Sequence, residues 1–97
     1  METSFLELRC KDVINVTDGR KLGRICDIIF DLPTGCVKGL VVPISNGFSL
    51  FKSPQQVFIP YNRICKIGED IILVELYEED IKQNAYILNA PKDKKDK

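Results

Sequence analysis

Residues that commonly carry out acid-base or metal chemistry are few in this chain and poorly spaced for it. The 97-residue sequence has no histidine, so the side chain that most often exchanges protons near neutral pH is absent. Its four cysteines, Cys10, Cys26, Cys36 and Cys65, are separated by 16, 10 and 29 positions, without a C-x-x-C pair. There is no G-x-S-x-G or phosphate-loop motif either. The sequence therefore predicts a protein that is not an enzyme and that binds neither a metal nor a cofactor.

The cysteines and two of the aspartates have more ordinary interpretations. The sequence opens without a basic and apolar leader pattern, and no apolar run approaches the ~18 residues of a membrane span, so we expect a cytoplasmic protein with no membrane span. Reduced thiols that act as small hydrophobic residues on strands then fit better than the two disulfides that four cysteines could form. Asp27 and Asp31 could share one strand face and hold a metal, but solvent-facing carboxylates or turn caps are the favoured interpretation.

The first candidate binding surface is the segment 43–56, whose two prolines, glycine and irregular pattern predict a long loop. Phe48, Leu50 and Phe51 lie in it among polar neighbours, and Tyr61 follows the next predicted strand. An exposed apolar group of this kind is typical of a protein interface, with either a second copy in a homodimer or a larger assembly as partner. The alternative is that the loop folds back and buries these side chains over an open end of a barrel.

The second candidate is a basic cluster around the first predicted turn, made of Arg9, Lys11, Arg20, Lys21 and Arg24. With Phe30 or Tyr61 nearby, these side chains could contact the phosphates and bases of RNA. A solvated charged face is the alternative interpretation. The whole chain balances 14 basic against 14 acidic residues, so no net charge draws it to DNA.

Short β-branched runs at intervals of about ten residues must position these groups, and they predict an all-β fold of the small-barrel type. The expected strands cover residues 6–8, 13–16, 21–32, 37–42, 57–60, 64–67 and 71–76. The strand 21–32 breaks its alternation, which predicts a β-bulge near Cys26 and Asp27. The strand 71–76 is almost continuously apolar, which predicts burial on both faces.

Turn residues separate these strands within a single domain. The expected turns are at Asp18, Gly19, Gly35 and Gly68, and we expect Gly23 and Gly39 where a strand bends or a neighbouring backbone approaches closely. Residues 61–63 should form a single turn, and residues 78–80 could begin a short helix. We expect one domain over residues 1–80 and a charged, partly disordered tail over 81–97, whose last six residues carry four Lys and two Asp.

The run from residue 8 to residue 31, with Asp18-Gly19 and Leu22-Gly23 between two strands and Asp31 at its end, resembles the opening of a PRC-barrel domain. The resemblance continues through Thr34-Gly35 and residues 37–43, then through Ile59-Pro60 and residues 64–74, where it is closest to the small YlmC/YmxH branch. Two features differ from the family pattern. Tyr61 stands where the family commonly has Trp, and residues 52–56 lack the family's acidic character.

This resemblance implies a fold, an SH3-like open barrel of five to six short antiparallel strands, more than it implies an activity. It further implies a non-catalytic, sporulation-associated interaction module that docks onto a larger protein assembly. The alternative that it implies is an RNA-processing or ribosome-maturation type of binding module.

Overall fold

The computed structural model describes residues 2–44 and 55–87, which form short strands with two small helices. The helices are α1 (Phe5–Leu8) and α2 (Glu78–Gln83), and a 3₁₀ turn covers Tyr61–Arg63. The strands are β1 (Asp12–Asn15), β2 (Arg20–Gly23), β3 (Asp27–Phe30), β4 (Val37–Ile44), β5 (Gln55–Pro60), β6 (Ile64–Ile67), β7 (Ile71–Val74) and β8 (Ala85–Ile87).

These strands form two four-stranded sheets. Sheet 1 has the order β2-β1-β7-β6, and sheet 2 has the order β3-β4-β5-β8. All neighbours are antiparallel except β1 and β7, which run parallel, with Val13 opposite Ile72. The predicted all-β open barrel is confirmed, with eight described strands instead of five or six and with one parallel pairing that the sequence did not predict.

Both sheets contribute to one hydrophobic core. Its buried members are Leu8, Val13, Leu22, Ile25, Leu40, Val42, Val57, Ile59, Ile72, Val74, Leu76 and Ile81. Burial of each such side chain stabilises the fold by roughly 1.5 to 3 kcal/mol. In β7 only alternate residues are buried, since Ile71 is exposed and Ile72 is not, so the prediction that residues 71–76 are buried on both faces is wrong.

The single strand predicted over residues 21–32 is also wrong, because the chain leaves sheet 1 at Gly23 and enters sheet 2 at Asp27. Gly23 has a φ of +117°, a conformation that side chains with a Cβ rarely adopt. The β-bulge lies before this corner rather than at Cys26 and Asp27, because the pairing of β1 with β2 skips Leu22. The irregular alternation in the sequence therefore marks a change of sheet.

Gly39 of β4 lies where a neighbouring strand leaves no space for a side chain. A Cβ at this position would collide with the carbonyl oxygen of Ile59 and would lie 2.7 Å from the Phe58 ring. The sequence expectation of a close backbone approach at Gly39 agrees with this geometry. The glycines of the expected turns, Gly19 and Gly35, have φ values of 74° and 75°, and the Gly68 amide donates to the Ile71 carbonyl between β6 and β7.

Residues 6–8 were expected to form a strand, but they lie in helix α1. The Ser4 hydroxyl accepts a hydrogen bond from the Glu7 amide at 3.2 Å, and the Leu8 amide donates to the Ser4 carbonyl at 3.0 Å. Ser4 followed by Glu7 is a capping-box sequence, which is a better predictor here than a three-residue alternation. Of the four helical residues, only Leu8 is buried.

Helix α2 begins at Glu78, as expected, and is held against the 3₁₀ turn by charged groups. Arg63 Nη2 lies 3.0 Å from Asp80 Oδ1, and the Tyr77 amide donates to Asp80 Oδ2. Ile81 enters the core, and β8 then pairs with β5. Part of the expected tail, residues 81–87, therefore belongs to α2 and β8. The sequence did not predict this because α2 buries only one residue, so its apolar residues show no helical period. Residues 88–97 lie outside the described part.

Asn15 is a fully buried polar residue that the sequence did not identify as special. Its side-chain amide donates to the Leu76 carbonyl at 3.0 Å, and its side-chain oxygen accepts from the Leu76 amide at 2.9 Å. Thr17 Oγ1 donates to the same carbonyl at 2.7 Å. Buried polar groups are nearly always hydrogen-bonded, and these bonds between the Asn15 side chain and the Leu76 backbone hold the segment after β7 against β1.

Candidate functional site

The apolar loop residues predicted to form an interface, Phe48, Leu50 and Phe51, lie outside the described residues. Tyr61, grouped with them in the sequence prediction, begins the 3₁₀ turn after β5 and is 56% exposed. The structure therefore places one member of this group at the surface. The interface role of all four stays a prediction.

The members of the predicted basic cluster have different neighbours. Lys11 Nζ donates to the carbonyl oxygens of Gly68 and Glu69, at 2.7 and 2.6 Å, and so connects the end of α1 to the turn before β7. Arg20 begins β2, and its backbone amide donates to the Asp18 carboxylate. Lys21 and Arg24 both lie near Asp12. The role of the cluster in binding RNA stays a prediction.

Arg9 and Arg24 line one surface cavity of about 430 Å³ between α1 and the β2–β3 connection, which we call the basic cavity. Among the described residues, Phe5, Cys10, Ile25 and Cys26 also line it. Arg9 lies at the end of α1, with its guanidinium 5.9 Å from the centre of the Phe5 ring. Arg24 and Cys26 reach the cavity because the chain turns out of sheet 1 at Gly23. The sequence named both arginines but gave no sign that a cavity joins them.

In the described part of the chain, basic groups outnumber acidic groups beside the basic cavity, where Arg9, Arg24 and Lys21 lie near Asp12 and Asp27. Asp12 Oδ1 lies 3.5 Å from Arg24 Nε, and Asp12 Oδ2 lies 3.7 Å from Lys21 Nζ. Both basic side chains are 62% exposed, so these long ion pairs are screened by water and are worth little to stability. Two cations share one carboxylate, and no carboxylate among the described residues lies within ion-pair distance of Arg9.

The four cysteines are free and exposed, and only Cys65 lies in a strand, so the prediction that they act as small hydrophobic residues on strands is wrong. Cys10 follows α1 and donates through Sγ to the Leu6 carbonyl at 3.3 Å. Partial burial, followed by the neighbouring charge of Asp27, raises the pKa of the Cys26 thiol. Since a thiolate is the reactive form, a raised pKa makes Cys26 a poor nucleophile at neutral pH.

Asp27 and Asp31 cap local backbone groups. Asp27 Oδ1 accepts from the Ile28 amide at 2.8 Å. Asp31 Oδ2 accepts from the hydroxyl and the amide of Thr34, at 2.8 and 3.2 Å, inside the turn between β3 and β4. Within residues 2–44 and 55–87, no three His, Cys, Asp or Glu side chains lie together in a way that could hold a metal ion.

A second surface feature, which the sequence reasoning missed, is an apolar hairpin tip made of Phe30, Leu32 and Val37. These side chains are 52%, 81% and 43% exposed, and Phe30 pairs with Val37 across the two strands. The pairing skips Lys38, so a bulge in β4 adjoins this pair. Leu32 next to Pro33 in a predicted turn was the available signal, since a large apolar residue there has little core to enter.

The open barrel and its turn glycines define a class of small β domain. The PRC-barrel domain matches residues 4–81, and the chain belongs to the PRC-barrel family. This match includes the residues of the basic cavity and the hairpin tip.

Two proteins of Bacillus subtilis (strain 168) are similar to the chain over most of its length. It is 42% identical to "Probable sporulation protein YlmC" over 77 residues, which are 77% of this chain and 94% of that protein. It is 28% identical to "Uncharacterized protein YmxH" over 75 residues, which are 75% of this chain and 88% of that protein. The resemblance to this branch of the family is confirmed. No helix in the described ranges is long and apolar enough to cross a membrane.

Proposed function

We propose that this chain is a non-catalytic docking protein of the sporulating cell, which binds a larger protein assembly in the cytoplasm. The name of its B. subtilis relative supports the link to sporulation, because the similarity extends over 94% of that relative. The observation that carries the docking role is the apolar hairpin tip. The proposal assigns no catalytic residue to the chain.

The hairpin tip projects large apolar groups into water without using them in the fold. Leu32 is 81% exposed, and Phe30 and Val37 are close to half exposed. Covering the exposed fractions of these side chains would contribute roughly 2.5 to 5 kcal/mol before the costs of association are subtracted, so the partner must add further contacts. None of this energy is gained while the tip stays in water.

A different protein fits this tip better than a second copy of the chain. Strand β3 is an edge of sheet 2, and a second copy could extend the sheet there. However, Asp27 uses its carboxylate to cap the Ile28 amide, so it places a negative charge near that edge. Pairing of two β3 strands would bring two such carboxylates to one seam and would compete for the capped amide. The partner should therefore cover the hairpin tip with apolar side chains of its own.

The other predicted binding modes stay predictions. Self-association as a homodimer through Phe48, Leu50 and Phe51 is open to a sedimentation measurement. RNA binding by the whole basic cluster has less support, because Lys11 is engaged with backbone carbonyls away from the basic cavity.

The test compares two single substitutions that remove equivalent exposed leucines. Leu32→Ser alters the hairpin tip, and Leu6→Ser alters α1, where the leucine is 67% exposed. Each chain carries a tag, replaces the native copy in the source organism and is recovered by crosslinking during sporulation. We expect one partner to be recovered with the native chain and with Leu6→Ser, and to be lost with Leu32→Ser.

The recovered partner is then purified, and its binding to each chain is measured by titration. Leu32→Ser should weaken binding without lowering the melting temperature, and spore yield should fall with it. The proposal fails if Leu32→Ser binds the partner and supports spore formation as well as the native chain does. It also fails if both leucine variants lose the partner equally.

A further inference from the structure

We propose that the basic cavity binds a nucleotide, with the phosphate held by Arg9 and Arg24 and the base placed against the Arg9–Phe5 pair. This site is separate from the hairpin tip and does not depend on the docking role. Its volume of about 430 Å³ falls within the range typical of small-molecule sites, roughly 300 to 1,000 Å³.

The charges at the cavity favour an anion. A guanidinium presents several N–H donors in one plane and matches phosphate oxygens in a two-point contact, which suits phosphate better than a lysine does. Arg9 and Arg24 both line the cavity. Two carboxylates, those of Asp12 and Asp27, lie near the cavity. Asp27 accepts a hydrogen bond from the Ile28 amide. Asp12 is shared between Arg24 and Lys21 at 3.5 and 3.7 Å, distances that leave those cations able to turn toward a ligand.

The remaining lining gives the cavity one flat and apolar side. Phe5 is 36% exposed, with the Arg9 guanidinium at 5.9 Å from its ring centre. Aromatic rings and guanidinium planes are the surfaces on which unpaired bases stack. Ile25 adds an apolar wall. A cationic pair beside a stacking surface is complementary to a phosphate joined to a planar base. Inorganic phosphate would contact the two arginines and leave the stacking surface empty.

Two thiols in the cavity wall allow ligand binding to be measured, because a bound ligand would slow their alkylation. Cys10 and Cys26 line the cavity, whereas Cys36 lies before β4 and Cys65 lies in β6. All four are exposed and free. The full chain is treated with iodoacetamide, and the alkylation rate of each cysteine is followed by mass spectrometry with and without a probe. Because each thiol is compared with itself, differences in intrinsic reactivity cancel.

The probes are adenosine monophosphate, adenosine, inorganic phosphate and a short single-stranded oligoadenylate. We expect adenosine monophosphate to slow alkylation of Cys10 and Cys26 and to leave Cys36 and Cys65 unchanged. Adenosine and inorganic phosphate should each protect less at the same concentration. Stronger protection by the oligoadenylate would identify an RNA chain as the source of the nucleotide, and equal protection per nucleotide would identify a free nucleotide.

Three variants test the assigned contacts. Arg9→Gln or Arg24→Gln should weaken protection about tenfold or more, the usual effect of losing a charged hydrogen-bond donor. Asp12→Asn should strengthen it, because the competing carboxylate charge is removed. Lys66→Gln is the control, since it removes a positive charge from an exposed residue outside the cavity lining.

The proposal is overturned if adenosine monophosphate and the oligoadenylate leave Cys10 and Cys26 unprotected. It is also overturned if all four thiols slow together, if adenosine monophosphate protects no better than inorganic phosphate, or if Lys66→Gln weakens protection as much as Arg24→Gln does. A thermal melt of each variant shows that it is folded before these comparisons are made.

Discussion

Replacing Gly39 with alanine should destabilise the barrel strongly although it adds a single methyl group. The new Cβ would meet the carbonyl oxygen of Ile59 and would lie 2.7 and 2.8 Å from two carbons of the Phe58 ring. The ring can move, but the carbonyl belongs to the neighbouring strand, so β4 and β5 must separate locally. Overpacking of this kind costs roughly 1 to 3 kcal/mol. For a domain of this size, each kcal/mol lowers the melting temperature by about 4 to 8 °C.

The assay for Gly39→Ala is thermal unfolding followed by circular dichroism, beside Gly68→Ala as the matched control. At Gly68 the nearest atom to an added Cβ is the Ile71 carbonyl oxygen at 3.5 Å, an ordinary contact. Gly68→Ala should therefore melt close to the native chain. Adding Phe58→Leu to Gly39→Ala should recover only part of the loss, because the Ile59 carbonyl remains. If Gly39→Ala melts together with Gly68→Ala, the assignment of a close strand approach at Gly39 is wrong.

Two further perturbations follow from buried or partly buried groups. Asn15→Ala should lower the free energy of unfolding by roughly 2 to 4 kcal/mol, because it removes both hydrogen bonds to Leu76 and leaves a cavity; an unchanged urea midpoint would contradict this. The raised pKa of Cys26 predicts that its alkylation rises with pH at a higher midpoint in the folded chain than in the urea-unfolded chain. Because the folded state then holds the thiol proton more tightly, this group's contribution to stability is present below the unfolded pKa and is lost as the pH rises through the folded one. Equal midpoints in the two states would refute the cause assigned here.

Local signals in the sequence predicted local structure well. The turns at Gly19 and Gly35, the single turn after Pro60 and the start of α2 all depend on residues adjacent in the chain. The parallel pairing of β1 with β7 depends on the shared core instead, and no turn or spacing marks it. The change of sheet at Gly23 was visible as a break in alternation. The sequence could not show whether a bulge or a new sheet caused the break, because either restores the burial of Leu22 and Ile25.

The candidate sites were harder to predict because they are defined by neighbours distant in sequence. Arg9 and Arg24 lie 15 positions apart and share a cavity only because α1 packs beside the β2–β3 connection. Lys11 looked equivalent to them, yet its partners are the carbonyls of residues 68 and 69. The exposure of Leu32 follows from where the hairpin ends relative to the core, which composition does not specify.

The parallel pairing of β1 with β7 also affects when this chain can fold. Asp12 finds its partner at Ile71, and Asn15 bonds to Leu76, 61 residues further along. During synthesis, β1 therefore has no neighbour on the side where β7 will pair until residues 71–74 have been made. Contacts this far apart slow folding, because a large loop must close before they stabilise anything. At about 5 to 20 residues per second, the ribosome holds the chain for several seconds with sheet 1 incomplete. Assembly of sheet 1 is thus a late event, which waits for the synthesis of β7.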